Sequence, residues 1–481
     1  MIANHQQRKE HEEIAWTNSS NLIIFAFSTV FYARIFCSIT GAPSVLIHAH
    51  FIAIPLIVYI ILTTVPIKDN QQLKLVISFL IGLFIFLIGI LISAFINKAG
   101  LINAIINFMM LGEPIIFLVA IASIPMSWRS FIKVRTWLIW SFAINFLLAA
   151  VQKPLIDSGY LYAQGFNGTD GCGGVFFVSG AGNYVSASVS MVFATYFLTR
   201  EKNFPLWIRL TAMFAALWQL LFSDSKQLVF AYFIAWLLLI ICNSQNIKNT
   251  LKLLIGMICV VLIFLWCVQN VEEFVAFTAW VRPELYEADG EAWYAKFYSV
   301  RFILDRYQSP LNWLFGLGPG HTVSRLGAWF LQDYWSLLAP LGATINNIGL
   351  ESREFVNSFW LTYSSSLFSP LFSWAGIWGD LGFVGLGIYL YLGYLVWRYF
   401  ALDNSLKITV LCIVVLGFIF TQMEEPGYML FVSLLLGLAY QKQRLEKNIR
   451  IRGLYDFSAP GEWSNNAPIG KLKMPRFGHS K

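Results

Sequence analysis

Charged residues are scarce in this chain. Of its 481 residues, only 12% are Asp, Glu, Lys or Arg, whereas 57% are apolar and 17% are aromatic. A soluble protein carries about 25% charged residues, because its surface has to be hydrated. The composition therefore excludes an ordinary soluble protein and a disordered chain, and it predicts an integral membrane protein.

Cysteines at metal-binding or disulfide-scaffold spacings are also missing. Five of the six cysteines lie in or beside apolar stretches, and only Cys172 lies in a long polar segment. Neither a disulfide framework nor a C-x-x-C metal site is expected from this scatter. A cleavable signal peptide is not predicted either, because residues 1–20 are polar and the first apolar stretch has the pattern of a retained helix.

Apolar stretches of about 17 to 25 residues, long enough to cross ~30 Å of hydrocarbon, recur along the chain. We predict an all-α polytopic membrane protein with about 12 transmembrane helices. The predicted spans are 21–40, 44–66, 73–96, 101–125, 136–152, 182–199, 207–222, 227–243, 253–270, 375–397, 408–423 and 427–440. The predicted domains are a cytoplasmic segment (1–20), helices 1–9 (21–270), a large, partly helical loop (271–370), helices 10–12 (371–440) and a basic cytoplasmic tail (441–481).

The net charge of +7 is distributed as a topology signal and not as a surface for nucleic acid. With a cytoplasmic N-terminus, 23 of the 33 Lys and Arg residues lie in cytoplasmic loops and the tail, and nine lie in outer loops. The remaining one, Arg34, lies inside the first span, where snorkelling to the interface is its structural explanation. Because cytoplasmic loops are enriched in Lys and Arg, we predict that both termini are cytoplasmic and that the loops at 153–181 and 271–370 are extracytoplasmic.

The 271–370 loop carries six cations, five of them Arg, together with ten acids and many Trp and Tyr residues. The planar Arg side chain binds two phosphate oxygens at once, and aromatic rings suit stacking on sugars, so this loop indicates a ligand in which a sugar is joined to a lipid phosphate. The structural alternative is an interfacial aromatic belt with arginines paired to the acids. Residues 291–308 predict an amphipathic helix. The apolar residues at helical spacing in it are Trp293, Phe297, Val300 and Leu304.

Several outer-side residues are candidates on chemical grounds, each with a structural alternative. His321, in the GLGPGHT turn, has the pKa of a general base, although a lone histidine is more often structural. Lys226, in the short FSDSKQ turn, is either an anion ligand near the membrane or an ordinary loop cation. Arg301 and Asp305 are four residues apart on the predicted helix, so they are also able to pair with each other.

Four segments follow one another in an informative order. A segment containing glycine and asparagine enters a middle span, and a short S-x-S-[RK] turn follows. An arginine-bearing helix then leads into a G-x-G-x-G turn, and an acidic [ED]-L-G-x-x-G segment opens the next span. In this chain they read SGAGNYVSA (179–187), SDSKQ (223–227), YSVRFILDRYQSPLNWLFGLGPG (298–320) and GDLGFVGLGIYL (379–390). Over roughly residues 150–440 this order resembles the O-antigen polymerase and O-antigen ligase superfamily, the Wzy/WaaL-like bacterial membrane glycosyltransferases.

The resemblance implies a glycosyltransferase that needs neither a metal nor another cofactor. Its donor is a polyprenyl-diphosphate-linked glycan, and a hydroxyl of a second lipid-linked repeat unit displaces the lipid diphosphate. The residues that the resemblance assigns to the diphosphate are Lys226, Arg301, Arg306 and Arg325. The catalytic candidates are Arg301 on the leaving group, with Asp380, Asp305 and His321 competing as the base. Asn183 and Trp313 are assigned to the glycan.

The resemblance favours polymerisation of repeat units into an O-antigen, capsule or exopolysaccharide on the outer face of the bacterial plasma membrane. The alternative within the superfamily is ligase-type transfer of a glycan to a lipid or protein acceptor. It is less favoured because the stretch before the tenth span, SSSLFSPLFSWAG (364–376), lacks the histidine that the ligases often carry. Membrane lipids, a chain-length regulator and a flippase are the implied partners, and nucleic acid is not. The alternative from another class is a lipid-linked oligosaccharide flippase or transporter, although the chain shows no internal repeat at half-length.

Overall fold

Every regular element in the described part of this computed structural model is a helix, and no strand occurs there. The helical fold follows from the composition, because a chain in hydrocarbon must pair its backbone N–H and C=O groups internally. The predicted tail from residue 452 onward and the first 18 residues lie outside the described residues. The described residues are 19–64, 69–161, 171–177, 181–271, 274, 277–278, 282–287 and 289–451.

Among the described residues, ten helices precede the long loop. The first two form a pair bent by 60°, with the break at Tyr32 between them. A 3-10 turn, Ser44–His48, precedes the third helix. The ten helices are α1 (Ser19–Phe31), α2 (Ala33–Thr40), α3 (His50–Thr64), α4 (Asn70–Ile96), α5 (Leu101–Ser123), α6 (Trp128–Asp157), α7 (Gly182–Arg200), α8 (Leu206–Phe222), α9 (Gln227–Cys242) and α10 (Ile247–Asn270).

The segment between α10 and the last three helices is partly helical, as predicted. It holds three helices of six or more residues and several short helical turns among its described residues. The helices in it are α11 (Glu291–Arg306), α12 (Pro310–Phe315) and α13 (Asn347–Ser358). The last three helices among the described residues are α14 (Ser373–Phe400), α15 (Asn404–Ile419) and α16 (Pro426–Ile451).

In the described part of the chain, six helical segments are long and apolar enough to cross a membrane, or seven if the bent pair α1–α2 forms one span. The chain is therefore a membrane protein. Each of the twelve predicted stretches coincides with a helix or a bent pair, but α8, α9 and α15 have only 16 or 17 residues. The six long segments are Ser44–Thr64, Asn70–Ile96, Leu101–Ser123, Trp128–Asp157, Ile247–Asn270 and Ser373–Phe400.

The helices pack as a bundle around α7 and α16. Helix α16 packs on α5, α14 on α4, α7 on α8, and α15 on α9. Residues 182–194 of α7 are all buried, whereas α10 has no buried residue and lies at the edge of the bundle. This packing brings α2 and the turn between α15 and α16 to the same end of the bundle as residues 324–334 of the long loop.

The predicted helix at 291–308 is present as α11, but its predicted apolar face is wrong. The buried residues of α11 are Ala292, Ala295, Ser299 and Ile303. Trp293 is 47% exposed and Leu304 is 40% exposed. Small side chains let α11 approach the segment before α14 closely, and Ser299 donates a hydrogen bond of 2.7 Å to the carbonyl oxygen of Pro370 there. The sequence periodicity marked large apolar residues and overlooked the small ones that permit close packing.

Candidate functional site

The glycine turn after α12 and the GDLG segment form one structural unit. Helix α14 is broken at Gly382, which has φ +65°. A Cβ at Gly382 would lie 2.4 Å from the carbonyl carbon of Leu314, and a Cβ at Gly316 would lie 2.4 Å from that of Asp380. The amide of Gly318 donates to the Asp380 carbonyl oxygen at 3.0 Å. Only glycine fits at these contacts. This close packing explains why the glycine turn and the GDLG segment, about 60 residues apart, occur in the same chain.

The Asp380 side chain orders the loop that leads to Arg325. It is fully buried and accepts four hydrogen bonds. The donors are the amides of Gly320 (2.8 Å) and Thr322 (2.9 Å), and the hydroxyls of Thr322 (2.6 Å) and Ser324 (2.6 Å). With its oxygens occupied, Asp380 holds residues 320–324 against α14 and fixes the point at which Arg325 leaves the loop.

A cavity of about 530 Å³ lies where this loop meets α2, the Ser44–His48 turn, α13 and the turn after α15. Three arginines converge on it from three separate parts of the chain, and aromatic rings form much of the remaining wall. The polar residues that line it are Arg34, Ser44, His48, Arg325, Asp333, Tyr334, Arg353, Asn357 and Thr421. The aromatic residues in its wall are Trp329, Phe330 and Phe420. We refer to this space as the arginine cavity.

Two of the arginines share one buried carboxylate. Arg34 on α2 pairs with Glu425 at 3.2 Å, and Arg325 pairs with the other oxygen of the same side chain. Only 3% of the Glu425 side chain is exposed. Arg353 on α13 bonds the Gln332 amide oxygen at 3.0 Å and pairs with Asp333 at 3.3 Å, and this second pair is partly exposed. Three guanidinium groups thus face two carboxylates, which leaves the lining with a net positive charge.

Burial changes the ionisation of two groups beside the cavity. Burial, reinforced by the neighbouring Arg34 charge, lowers the pKa of Arg325 to about 9, so the side chain remains cationic at neutral pH. Burial raises the pKa of Glu424 to about 8, although its carboxylate accepts the backbone amide of Arg325 at 2.6 Å. Glu424 is therefore mainly neutral at pH 7 and does not cancel the positive charge of the arginines.

The sequence assigned Arg301 and Lys226 to one diphosphate site, but neither lines the arginine cavity. Arg301 is exposed, and its guanidinium lies 5.6 Å from the centre of the Tyr294 ring. Arg301 and Asp305 are both described residues, and no ion pair joins them. Lys226 pairs instead with Asp224 at 2.5 Å in its own turn. Neither of these two cations therefore shares the arginine cavity with Arg325.

His321 and Asn183 are both buried and hydrogen-bonded to nearby loops. His321 Nδ1 lies 2.9 Å from the Leu317 carbonyl oxygen, and its Nε2 lies 2.8 Å from the Thr344 hydroxyl. Both ring nitrogens therefore have partners within the protein, which fixes the glycine turn. Asn183 at the start of α7 donates to the Ser223 carbonyl oxygen at 2.9 Å and joins α7 to the turn after α8. Neither side chain lines the arginine cavity.

Arg306 is the last residue of α11, and Trp313 lies within α12. Arg306 lies 4.0 Å from Glu351 and is about half-exposed. The Trp313 ring packs with Tyr307 (centroids 5.2 Å apart) and stacks on Phe383 (6.0 Å) at an open depression. Of the four predicted diphosphate ligands, only Arg325 lines the arginine cavity.

Sequence reasoning missed most of the cavity. Arg34 was visible as a charge inside an apolar span, and Glu425 as one of two adjacent acids in a short turn. His48 and Tyr334 carried no signal in the sequence, because nothing in it shows that residues almost 290 positions apart make a 3.1 Å hydrogen bond. Arg353 was one of six cations in the loop, with nothing to set it apart.

The fold and the site together define a helical membrane protein with a cationic, aromatic-walled cavity at one end of its bundle. No protein-family model matches this chain, and no curated protein is significantly similar to it. Among the described residues, no group of three or more His, Cys, Asp or Glu side chains is placed to hold a metal ion. The chemistry of the cavity therefore has to be argued from its own residues.

Proposed function

We propose that this protein polymerises polyprenyl-diphosphate-linked oligosaccharide repeat units into a surface polysaccharide on the outer face of the bacterial plasma membrane. The observation that supports this proposal most is the arginine cavity, in which Arg34, Arg325 and Arg353 converge between apolar helices. Cations at the end of a membrane bundle suit an anion that is carried by a lipid. The order of sequence motifs supplies the sugar and the reaction type.

The charge arrangement suits a diphosphate. Arg34 and Arg325 are held by a single carboxylate, Glu425, which offers one oxygen to each. A diphosphate presents more oxygens and more charge than this carboxylate, so it is able to bind both guanidinium groups from the cavity side while Glu425 keeps them oriented from behind. Arg353 lines the same cavity, and it would exchange its partly exposed contacts with Gln332 and Asp333 for the ligand.

The walls of the cavity suit a sugar. Trp329 and Phe420 lie with their ring centres 5.7 Å apart, and both face the cavity. Flat apolar faces of this kind stack on the C–H faces of pyranose rings. Thr421 is 1% exposed and lines the cavity. Its hydroxyl has no hydrogen-bond partner among the described residues. A sugar hydroxyl would satisfy it.

In the proposed reaction a hydroxyl of the acceptor repeat unit attacks the anomeric carbon of the donor. A carbon–oxygen bond forms, and the bond from that carbon to the diphosphate oxygen breaks with its electron pair on the leaving group. The arginines of the cavity stabilise the charge that develops on this leaving group, which is where electrostatic catalysis is most effective. Protein groups near the cavity have to accept the proton of the attacking hydroxyl.

The topology that goes with this function has twelve spans, two cytoplasmic termini and an extracytoplasmic loop domain at 271–370. The distribution of Lys and Arg supports it, and helices of 16 or 17 residues, about 25 Å long, are able to cross a locally thinned bilayer. Cysteine labelling tests the orientation in a chain whose native cysteines have been replaced. A cysteine at position 340 should react with an impermeant reagent in intact cells, and reaction only after permeabilisation would contradict the topology.

The fate of lipid-linked glycans after deletion of the protein tests the function. Loss of a polymerase leaves single repeat units on the outer leaflet of the membrane. Loss of a ligase leaves long polymer that is not attached to its acceptor, and loss of a flippase leaves repeat units facing the cytoplasm. We expect single outward-facing repeat units, together with restoration of the polymer ladder when the wild-type chain is supplied again.

One observation favours a lipid-linked oligosaccharide flippase or transporter as the second candidate function. His50 on α3 and Glu113 on α5 form a buried pair, with Nδ1 of His50 lying 2.9 and 3.0 Å from the two carboxylate oxygens. Both side chains are 1% exposed and lie in segments long enough to span a membrane. Ionisable pairs at such depth are common in proton-coupled transporters. In that case Glu113→Gln would stop translocation of repeat units and leave them facing the cytoplasm.

A further inference from the structure

A row of polar side chains leads from the arginine cavity into the helix bundle. Tyr334 and His48 line the cavity, and the Tyr334 hydroxyl lies 3.1 Å from Nε2 of His48. The His48 and His50 ring centres are 6.0 Å apart. Nδ1 of His50 in turn lies 2.9 Å from the carboxylate of Glu113. The row therefore connects the wall of the cavity to a carboxylate buried in the middle of α5.

The ring nitrogens in the middle of this row are unpaired. His48 Nδ1 and His50 Nε2 are both buried, and neither has a hydrogen-bond partner among the described residues. Because a carboxylate only accepts, Glu113 places the His50 proton on Nδ1 and leaves a lone pair on Nε2. The Tyr334 hydroxyl is able to donate to His48 Nε2, and the relay uses this arrangement, in which the His48 proton lies on Nδ1. A distance of 6.0 Å between ring centres suits one bridging water between the donor and the acceptor.

We propose that the proton of the acceptor hydroxyl leaves the cavity through a relay, in which Tyr334 receives it, His48 passes it on, and His50 paired with Glu113 is its final acceptor. This inference rests on the proposed function. As the acceptor oxygen bonds to the anomeric carbon and the diphosphate leaves, the acceptor proton passes to the Tyr334 hydroxyl, and the Tyr334 proton passes to Nε2 of His48. The Nδ1 proton of His48 then passes through water to Nε2 of His50. One proton has moved, and it ends on a His50 ring that is paired with Glu113.

Electrostatics explains why the proton moves on from His48. A proton that stayed on His48 would add a positive charge to a cavity that already holds Arg34 and Arg325. On His50 the same proton lies against the Glu113 carboxylate, where its charge is compensated. A purely structural contact between α3 and α5 would not need this pair, because two apolar side chains of similar volume would join the helices without desolvating an acid.

Proteoliposomes with a lipid-linked repeat unit as substrate test the relay. Glu113→Gln keeps the size of the side chain and an oxygen that accepts the His50 proton, but it removes the charge. We expect kcat to fall about 100-fold while KM for the donor stays within twofold, in keeping with the usual contribution of general base catalysis. His48→Gln should lower kcat by a similar factor. Asn107→Leu is the matched control, since Asn107 is buried on the same helix and its side-chain oxygen has no partner among the described residues. This control should retain wild-type kcat.

The double variant His48→Gln/Glu113→Gln separates a relay from two independent structural roles. If both residues serve one proton path, the double variant should be no slower than the slower single variant. The relay is wrong if the two losses multiply, if Glu113→Gln retains wild-type kcat with a normal melting temperature, or if it raises KM alone. Failure of the proposed function has a different signature: the wild-type protein then lengthens no lipid-linked glycan, and the relay fails with it.

Discussion

Arg325 is the residue in which the sequence resemblance and the cavity geometry agree, and its replacement by alanine should abolish chain extension. The guanidinium of Arg325 lines the cavity and is held by Glu425. If it contacts the leaving diphosphate mainly in the transition state, its loss should raise the barrier by about 3 kcal/mol, or roughly a hundredfold in rate. Arg325→Lys should restore little, because an ammonium lacks the two-oxygen fork.

The same change also has a structural effect that must be separated from catalysis. Removing one partner of a buried ion pair destabilises a protein by about 3 to 5 kcal/mol. Because Arg34 still pairs with Glu425, we expect the lower end of this range. The double variant Arg325→Ala/Glu425→Gln also takes the carboxylate away from Arg34, so it should be less stable than Arg325→Ala and equally inactive. Unfolding of the detergent-solubilised protein measures the stability, and glycan ladders on a gel measure the activity.

Arg301→Ala is the matched comparison. Arg301 is exposed outside the cavity lining, above the Tyr294 ring. The family resemblance predicts loss of the ladder for this variant, whereas the cavity geometry predicts a normal ladder and a stability change below about 1 kcal/mol. A normal ladder from Arg325→Ala at wild-type protein levels would refute the assignment of the cavity to the diphosphate. If Arg301→Ala loses the glycan ladder and Arg325→Ala keeps it, the diphosphate site lies at Arg301 on α11 and not in the arginine cavity.

Three further predictions concern the framework of the site. Asp380→Asn should destabilise the protein by about 2 to 4 kcal/mol, because the amide group cannot accept from all four of its buried donors, and chemical unfolding measures this. Glu424→Gln should match the wild type in melting temperature near pH 5 and exceed it near pH 9. The pKa of Glu424 is higher in the folded protein than in the unfolded chain, so Glu424 favours folding fully only at pH values below its pKa in the unfolded chain. This contribution to the free energy of unfolding, on the order of 5 kcal/mol, is lost as the pH rises through about 8. Gly382→Ala should prevent accumulation of the folded protein in membranes, because its Cβ would clash with Leu314 at a positive φ, whereas Gly387→Ala, on the same helix with open space around its Cβ, should not.

Each of these outcomes has a clear opposite. An Asp380→Asn protein as stable as the wild type would mean that its hydrogen bonds to the loop contribute nothing. Parallel pH profiles for Glu424→Gln and the wild type would mean that Glu424 ionises normally. Equal accumulation of the two glycine variants would show that the break in α14 tolerates a side chain.

The helices were predictable from the sequence because lipid imposes one strong rule, that backbone polar groups must pair within the segment. Runs of apolar residues therefore marked the helices of the bundle, and helical spacing marked α11 in the loop, whereas α12 and α13 were not predicted. The orientation of α11 was not predictable, because Ala292 and Ala295 pack closely while Trp293 remains exposed. Hydrophobic periodicity ranks side chains by size and polarity. It does not show which face of a helix packs closely against a neighbouring segment.

The site was predictable in its chemistry but not in its membership. Arginine beside aromatic residues was the expected combination, and Arg325 lies in the cavity as one of three such arginines. The meeting of Arg34 with Arg325 depends on the 60° bend between α1 and α2, which no local pattern encodes. For Asp380 the sequence located the residue but not its role. Sequence alone cannot distinguish a carboxylate that binds loop amides from one that takes a proton.

The most direct test of the central claim is polymerisation by the purified protein alone. The protein is reconstituted in liposomes with a single polyprenyl-diphosphate-linked repeat unit, and the lipid-linked products are resolved by gel and mass spectrometry. The account predicts products that differ by whole repeat units, with one polyprenyl diphosphate released for each new linkage, and it predicts that Arg325→Lys abolishes both. Repeat units that remain single, or that only change leaflet, would contradict it.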